Sequence, residues 1–443
     1  MKTFRLLPLL VAVSAALASP ARAQSLVDLY ESARKFDAAY LSARSQYDAT
    51  LAKANQARAA VLPTANLALG VSRSTQEITP DIGPKTDRSY GTENATISAS
   101  QPLYRPGNWA GYQQGLKQLD LAQAQLTSAD QDLVVRVSQA YFDVLAAQDN
   151  LTFVKAQKAA VAEQLASAKR NFEVGTSTIT DTREAQARFD LVTAQEIAAE
   201  NDLRVRQMAL DQLVGLSDAR PQPLAQPLAL PALLPADVNA WVQQSETSHP
   251  GIKQSQIALD VAQLETRKAE AGHKPTLDLT ASYSAIKNLD GTSITPVGSR
   301  VNAGTVGLSF NLPLFAGFST QNRIKETLAL EEKARNDLEG AKRAVALGTR
   351  TAFFGVLSGQ SQVRALEAAE ASSQSALDAN KLGYQVGVRI NIDVLNAQSQ
   401  LFDTKARLAK ARYDVLVGGL KLRQANGTLK ADDLQGVNAL LGK

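Results

Sequence analysis

The chain has 443 residues, with 47 Lys and Arg against 43 Asp and Glu and a formal net charge of +4. It contains no cysteine, which excludes disulfides, thiolate zinc sites and cysteine nucleophiles. Its two histidines, His249 and His273, are isolated in sequence, and no Ser-His-Asp or metal-ligand pattern accompanies them. We therefore expect no metal site, no cofactor and no enzymatic activity.

The N-terminal segment is typical of a secretion signal. Two basic residues precede an apolar run over residues 6–18, and Ala21-Arg22-Ala23 matches an A-x-A cleavage site. Cleavage after Ala23 removes three basic residues and lowers the formal net charge from +4 to +1. This small charge, without a long basic run, argues against nucleic acid as a partner.

Two strand-like stretches follow in each half of the mature chain. Apolar and polar residues alternate over about 64–75 and 94–104, and again over about 276–286 and 303–313. A period of two predicts strands with one apolar and one polar face, long enough to cross a bilayer when tilted.

Polar loops separate the strands of each pair, roughly Gln76 to Glu93 and Lys287 to Gly304. Four strands cannot close a barrel, and an open sheet edge in hydrocarbon leaves backbone groups unpaired at several kcal/mol each. Two copies would give eight strands with a filled interior, whereas three would give twelve around a lumen. The pattern predicts an oligomeric pore whose loops face the cell exterior.

Long proline-free stretches rich in Ala, Leu, Gln, Glu, Lys and Arg follow each strand pair. They predict long helices over about 108–172, 178–215, 317–384 and 390–425. The first would be about 95 Å long at ~1.5 Å per residue, too long to bury in a compact domain. The fold class is thus an α+β membrane protein, although helices of this kind also occur in plain coiled-coil stalks.

The mature chain repeats itself at an offset of 212 residues. The stretch EVGTSTITDTREAQARFD, from Glu173, returns as QVGVRINIDVLNAQSQLFD, from Gln385. This predicts two copies of one unit, residues 24–215 and 237–443. Between them, residues 216–236 contain five prolines and read as an extended linker.

These features resemble the TolC family of outer-membrane efflux and type I secretion channels. The strand pairs enter the helices at QPLYRPG and LPLFAG, and the VGTSTITD and VGVRINID turns are the most specific motifs. The resemblance covers essentially the whole mature chain. It implies a homotrimer with a twelve-stranded barrel in outer-membrane lipid, a helical tunnel through the periplasm, and an equatorial belt around the chain ends and linker.

The family implies a passive exit duct that receives substrates from an inner-membrane pump, of RND or ABC type, through a periplasmic adaptor. An alternative is that the chain is itself a periplasmic coiled-coil adaptor or scaffold, which explains the helices but leaves the four alternating strands unexplained. The cargo is not readable from the sequence, because the pump selects it.

The two glycine turns differ in ways that point to a gate. Phe172 and Ser177 of the first copy correspond to Tyr384 and Arg389 of the second. The resemblance implies that Tyr384 and Arg389 donate to Asp181 and hold the periplasmic entrance shut. Taken alone, Asp181 and Asp393 are explained equally well by their places near helix N-termini.

Two further groups of residues take roles from the resemblance. Asp393 matches an aspartate that rings the constricted entrance and favours cations. Asn396 stands where a second aspartate can follow, on the same helical face, so this second ring would be neutral here. The helix tips that contact the adaptor comprise Gly175, Thr176, Gly387 and Val388.

Overall fold

The computed structural model describes residues 24–225 and 230–442, so the predicted signal segment lies outside the described residues. The helices are α1 Leu26–Phe36, α2 Ala38–Ala59, α3 Pro106–Glu173, α4 Ile179–Val214, α5 Val238–Ser248, α6 Pro250–Glu270, α7 Ser319–Gln385, α8 Asn391–Ala425 and α9 Asp433–Asn438. The strands are β1 Thr64–Ile78, β2 Thr86–Tyr104, β3 Thr276–Asn288 and β4 Ser299–Asn311.

The four long helices begin and end within about two residues of the predicted bounds. With 68 and 67 residues, α3 and α7 are each about 100 Å long at ~1.5 Å per residue. Among the described helices, none combines the length and apolar character needed to span a bilayer.

The chain divides into two compact units. One joins Leu126–Pro250 and Lys342–Lys443 with the described residues 24–43. The other consists of Arg44–Gln125 and Gly251–Ala341 and contains all four named strands.

The strands form one antiparallel sheet in the order β1-β2-β3-β4. The register places Leu67 opposite Ile97, and Ile97 opposite Tyr283. Because side chains alternate along a strand, the apolar residues of all four strands share one face. The outer edges of β1 and β4 have no partner strand among the described residues.

The apolar face of this sheet is uncovered in the single chain. Large side chains on it are mostly exposed: Leu69 is 73% exposed, Val71 81%, Val306 77% and Phe310 65%. An apolar surface of this extent marks a contact with lipid or with another protein. The opposite face presents mainly Ser, Thr and Asn and is the predicted polar face.

The hairpin loops are shorter than the sequence predicted. They span residues 79–85 and 289–298, whereas 76–93 and 287–304 were expected. The ladder of β1 continues to Ile78 through mainly polar side chains on both faces. Alternation marks only the part of a strand with an apolar face, so it could not reveal these polar extensions.

The unit that holds Leu126–Pro250 and Lys342–Lys443 has a core where α1, α3, α4, α8 and α9 meet. The described residues of the predicted linker and both described chain ends lie against this core. The Gln24 N–H donates to the Arg220 carbonyl at 2.7 Å, and the Gly442 N–H donates to the Pro223 carbonyl at 2.7 Å. The fully buried Tyr141 donates from its hydroxyl to the Gln222 carbonyl at 2.8 Å. The Tyr141 bond fastens α3 to the linker, and the other two bonds hold both described chain ends to it.

Candidate channel entrance at the helix tips

Two turns connect the long helices: residues 174–178 end the first hairpin (α3–α4), and residues 386–390 end the second (α7–α8). At the first, the Thr176 N–H donates to the Asn171 carbonyl at 2.8 Å and the Gly175 N–H donates to the Phe172 carbonyl at 3.0 Å. This is the Schellman arrangement, which requires a left-handed residue after the helix. Gly175 supplies it, with φ +80°.

The second turn repeats this geometry. The Val388 N–H donates to the Gly383 carbonyl at 2.9 Å, and the Gly387 N–H donates to the Tyr384 carbonyl at 3.2 Å. Gly387 also has φ +80°. A Cβ on either turn glycine would meet nothing within 4 Å, so the backbone conformation alone selects glycine.

One carboxylate oxygen of Asp181 accepts three hydrogen bonds from residues of its own turn. Its Oδ2 accepts from Ser177 Oγ at 2.7 Å, from the Thr178 N–H at 3.0 Å and from Thr178 Oγ1 at 2.8 Å, while its own N–H donates to Thr178 Oγ1 at 3.2 Å. Thr178 and Asp181 thus form a capping box at the start of α4. Burial raises the pKa of the Asp181 carboxyl, but these hydrogen bonds outweigh it and lower that pKa.

Thr178→Ala should therefore loosen the start of α4 and leave α8 unchanged. Loss of an N-cap of this kind costs about 1 kcal/mol, which corresponds to roughly fivefold faster local opening. Hydrogen-exchange mass spectrometry of peptides covering residues 176–186 and 388–398 measures both sites. Equal exchange of the first peptide in the variant and the wild type would show that the capping box does not stabilise the tip.

The second copy lacks this cap, and its aspartate has a different partner. Ile390 occupies the N-cap position and makes no side-chain capping bond. Asp393 instead pairs with Arg389, with Nη1 3.7 Å from Oδ2, and the two side chains are 34% and 60% exposed. Gly383 makes room for this arginine, because a Cβ there would lie 2.6 Å from Arg389 Cγ.

Tyr384 is half-buried beside the first hairpin. Its hydroxyl lies 3.5 Å from Asn171 Nδ2, which donates to it. Within one chain, therefore, Tyr384 contacts Asn171 and Arg389 pairs with Asp393, and the structure records no bond from either to Asp181. The Oδ1 atom of Asp181 accepts no recorded hydrogen bond from the described residues.

A polar seam joins α8 to the first hairpin. Asn391, fully buried at the start of α8, accepts from Gln164 and donates to the Asp181 carbonyl at 3.4 Å. Further along, Arg188 Nη2 donates to Asn396 Oδ1 at 2.7 Å. Asn396 is thus held by α4.

Sequence reasoning missed several of these residues. Two could have been found by comparing the copies, since Asn171 aligns with Gly383 and Ile179 aligns with Asn391 at the 212-residue offset. Arg188 aligns with Gln400, but its contact depends on how the hairpins pack. In the described part of the chain, no group of three or more His, Asp or Glu residues is placed to hold a metal ion.

The outermost surface of both turns is apolar. Val174 is 72% exposed, Val386 64%, Val388 76% and Ile390 60%. Exposed side chains of this kind at the end of a helical hairpin are suited to a contact with another protein.

A family model described as outer membrane efflux protein matches the chain twice, over residues 29–216 and 241–428. The second match begins 212 residues after the first, at the offset of the sequence repeat. The chain belongs to this outer-membrane efflux family. The predicted TolC family resemblance is confirmed.

Named relatives span nearly the whole chain. It is 34% identical over 436 residues to outer membrane protein TolC of Vibrio cholerae, covering 98% of each chain. It is 32% identical to the alkaline protease secretion protein AprF of Pseudomonas aeruginosa, covering 96% of this chain and 88% of that one. The crystal structure of the outer membrane protein VceC from Vibrio cholerae matches with a TM-score of 0.75 at 19% identity, covering 91% and 96% of the two chains.

These findings confirm the predicted fold class and location. The protein is an outer-membrane channel of the efflux and secretion class, and the described residues of one chain form four strands and two long helical hairpins.

Proposed function

We propose that three copies of this efflux-family chain close a twelve-stranded barrel in the outer membrane and act as a passive exit duct. The observation that carries the proposal is the uncovered apolar face of the sheet between two unpaired edges. In hydrocarbon these edges must pair, and pairing β4 of one copy with β1 of the next satisfies them. Twelve strands leave a lumen, which the Ser- and Thr-rich face would line.

The duct would be fed by an inner-membrane pump of RND or ABC type through a periplasmic adaptor. Family membership and the secretion function in the name of AprF support such partners. Gly175, Thr176, Gly387 and Val388 lie at the exposed helix tips, where an adaptor would dock on the apolar surface around them. We expect the chain itself to catalyse no reaction.

The proposed gate lies between neighbouring chains. Asp181 has used Oδ2 for its own cap and can offer Oδ1 to a donor from an adjacent hairpin. Arg389 is 60% exposed and its present pair with Asp393 is long, at 3.7 Å, so it can exchange partners at small cost. Tyr384 would add a second donor to the same carboxylate.

Asp393 would provide the charged ring of the closed entrance. It lies in the first turn of α8, and its side chain is about one third exposed. Asn396 lies one helical turn away and brings no charge of its own.

Insertion into lipid tests the proposed function directly. Purified protein added to a planar bilayer should give discrete conductance steps, and extraction from membranes should require detergent. Release of the folded protein by carbonate or salt alone, with no conductance, would favour the adaptor or scaffold alternative.

The hairpin loops should face the cell exterior. Because the chain has no cysteine, single cysteines report their surroundings cleanly. Ile82→Cys and Ile294→Cys, at positions 95% and 86% exposed, should react with a membrane-impermeant maleimide on intact cells. Val388→Cys should react only after the outer membrane is permeabilised. Labelling of Val388→Cys alone on intact cells would show that the orientation is the opposite one, with the helix tips at the cell exterior.

A further inference from the structure

The side chain of Asn396 accepts a hydrogen bond from across the polar seam. Arg188 Nη2, from α4, donates to Asn396 Oδ1, on α8, at 2.7 Å. Asn396 follows Asp393 by three residues and therefore lies on the same side of α8. The guanidinium of Arg188 thus lies one helical turn from the proposed charged ring.

The positively charged guanidinium of Arg188 is hydrogen-bonded to a neutral side chain. It lines a cavity between the first hairpin and α8 that also contains Asp202 and Asp403. Both carboxylates have arginine partners on their own helices: Asp202 pairs with Arg206 at 3.3 Å, and Asp403 pairs with Arg407 at 2.8 Å. Within the described ranges, the recorded polar contact of Arg188 is the amide oxygen of Asn396.

An aspartate at position 396 would have the same shape as the asparagine and the same oxygen at hydrogen-bonding distance from Arg188. The new carboxylate would pair with the guanidinium without rearrangement, as a charge-assisted bond. Its charge would then be cancelled locally, and no free anionic ring would be added at the mouth.

We propose that Arg188 determines the ion selectivity of the entrance by fixing the net charge at position 396. This inference rests on the proposed function, in which ions and substrates pass the helix tips. Asp393 supplies a negative charge, Arg188 supplies a positive charge beside it, and the amide of Asn396 holds that positive charge in place. Arg188 on the first hairpin therefore limits cation preference together with the neutrality of Asn396.

Reversal potentials in a KCl gradient across a planar bilayer test this assignment, because they report permeability ratios independently of folding yield. The variants are Asn396→Asp, Arg188→Gln and the double variant. Arg183→Gln is the matched control: it removes one positive charge from the same helix, at an exposed residue about 140° around the helix from Arg188.

Asn396→Asp and Arg188→Gln each lower the net charge at this position by one unit, so we expect each to raise the K⁺/Cl⁻ permeability ratio by a similar amount, about twofold. The double variant lowers the net charge by two units and should raise the ratio about fourfold. Arg183→Gln should match wild type. An increase with Asn396→Asp alone as large as with the double variant would overturn the proposal, as would an equal effect of Arg183→Gln and Arg188→Gln. Absence of any conducting channel in the wild type would instead contradict the proposed function.

Discussion

Val306→Arg is expected to abolish assembly in the outer membrane, whereas Thr305→Arg is expected to be tolerated. Val306 is on the apolar face of β4, opposite Ala281, and is 77% exposed in the single chain. An arginine facing lipid near the bilayer centre costs about 2–4 kcal/mol, and a trimer would carry three. Thr305 precedes it in the same strand and points to the opposite face, opposite Ser282.

The two variants add the same side chain one residue apart in the same strand, so they differ mainly in the face of the sheet that carries the arginine. Oligomer yield in outer-membrane extracts and conductance in planar bilayers measure the outcome. We expect Val306→Arg to give no stable oligomer, and Thr305→Arg to give oligomers with altered conductance. Equal tolerance of both variants, or loss of oligomers in Thr305→Arg alone, would show that the apolar face does not meet lipid.

The double variant Arg389→Ser and Tyr384→Phe should open the entrance. The changes remove a hydroxyl and a guanidinium that the first copy lacks, since it has Phe172 and Ser177 at these positions. Neither change alters the buried residues of α8. Single exposed ion pairs are worth less than ~1 kcal/mol, so the single variants should do little and the double variant should conduct several times more than wild type. Trimer yield should be unchanged.

Gly383→Ala is an independent route to the same state. It displaces the Arg389 side chain by steric contact and keeps its charge. If it raises conductance like the double variant, the position of Arg389 holds the gate. If both behave like wild type in intact oligomers, Tyr384 and Arg389 are ordinary surface residues.

Local patterns made much of the fold predictable. The alternation of β3 and β4 located those strands, and the repeated Val-Gly turn located the helix ends, because both signals depend on short-range geometry. Asp181 was expected near a helix N-terminus, and the structure places it with Thr178 in the capping box that starts α4. The polar ends of the strands escaped prediction, since side chains that are polar on both faces carry no period.

The partners of the tip residues were harder to predict. Arg389 and Asp393 stand four residues apart, a spacing that allows an ion pair on one helix. The resemblance implied that Tyr384 and Arg389 donate to Asp181. Within one chain, the Oδ2 atom of Asp181 accepts its hydrogen bonds from its own turn instead. The Arg188 to Asn396 bond joins two residues separated by 208 positions and depends on the packing of two hairpins, which no local pattern encodes.

Closure of the barrel by three chains is the central claim, and edge-to-edge cross-linking tests it most directly. Cysteine pairs introduced into β1 and β4 have no native thiol to compete with them. When oxidised in outer membranes, pairs in the correct register should link β4 of one chain to β1 of the next. We expect a ladder of one, two and three chains that ends at three, with a closed trimer as the final product. Monomers linked only within themselves, or a ladder that continues past three, would contradict it.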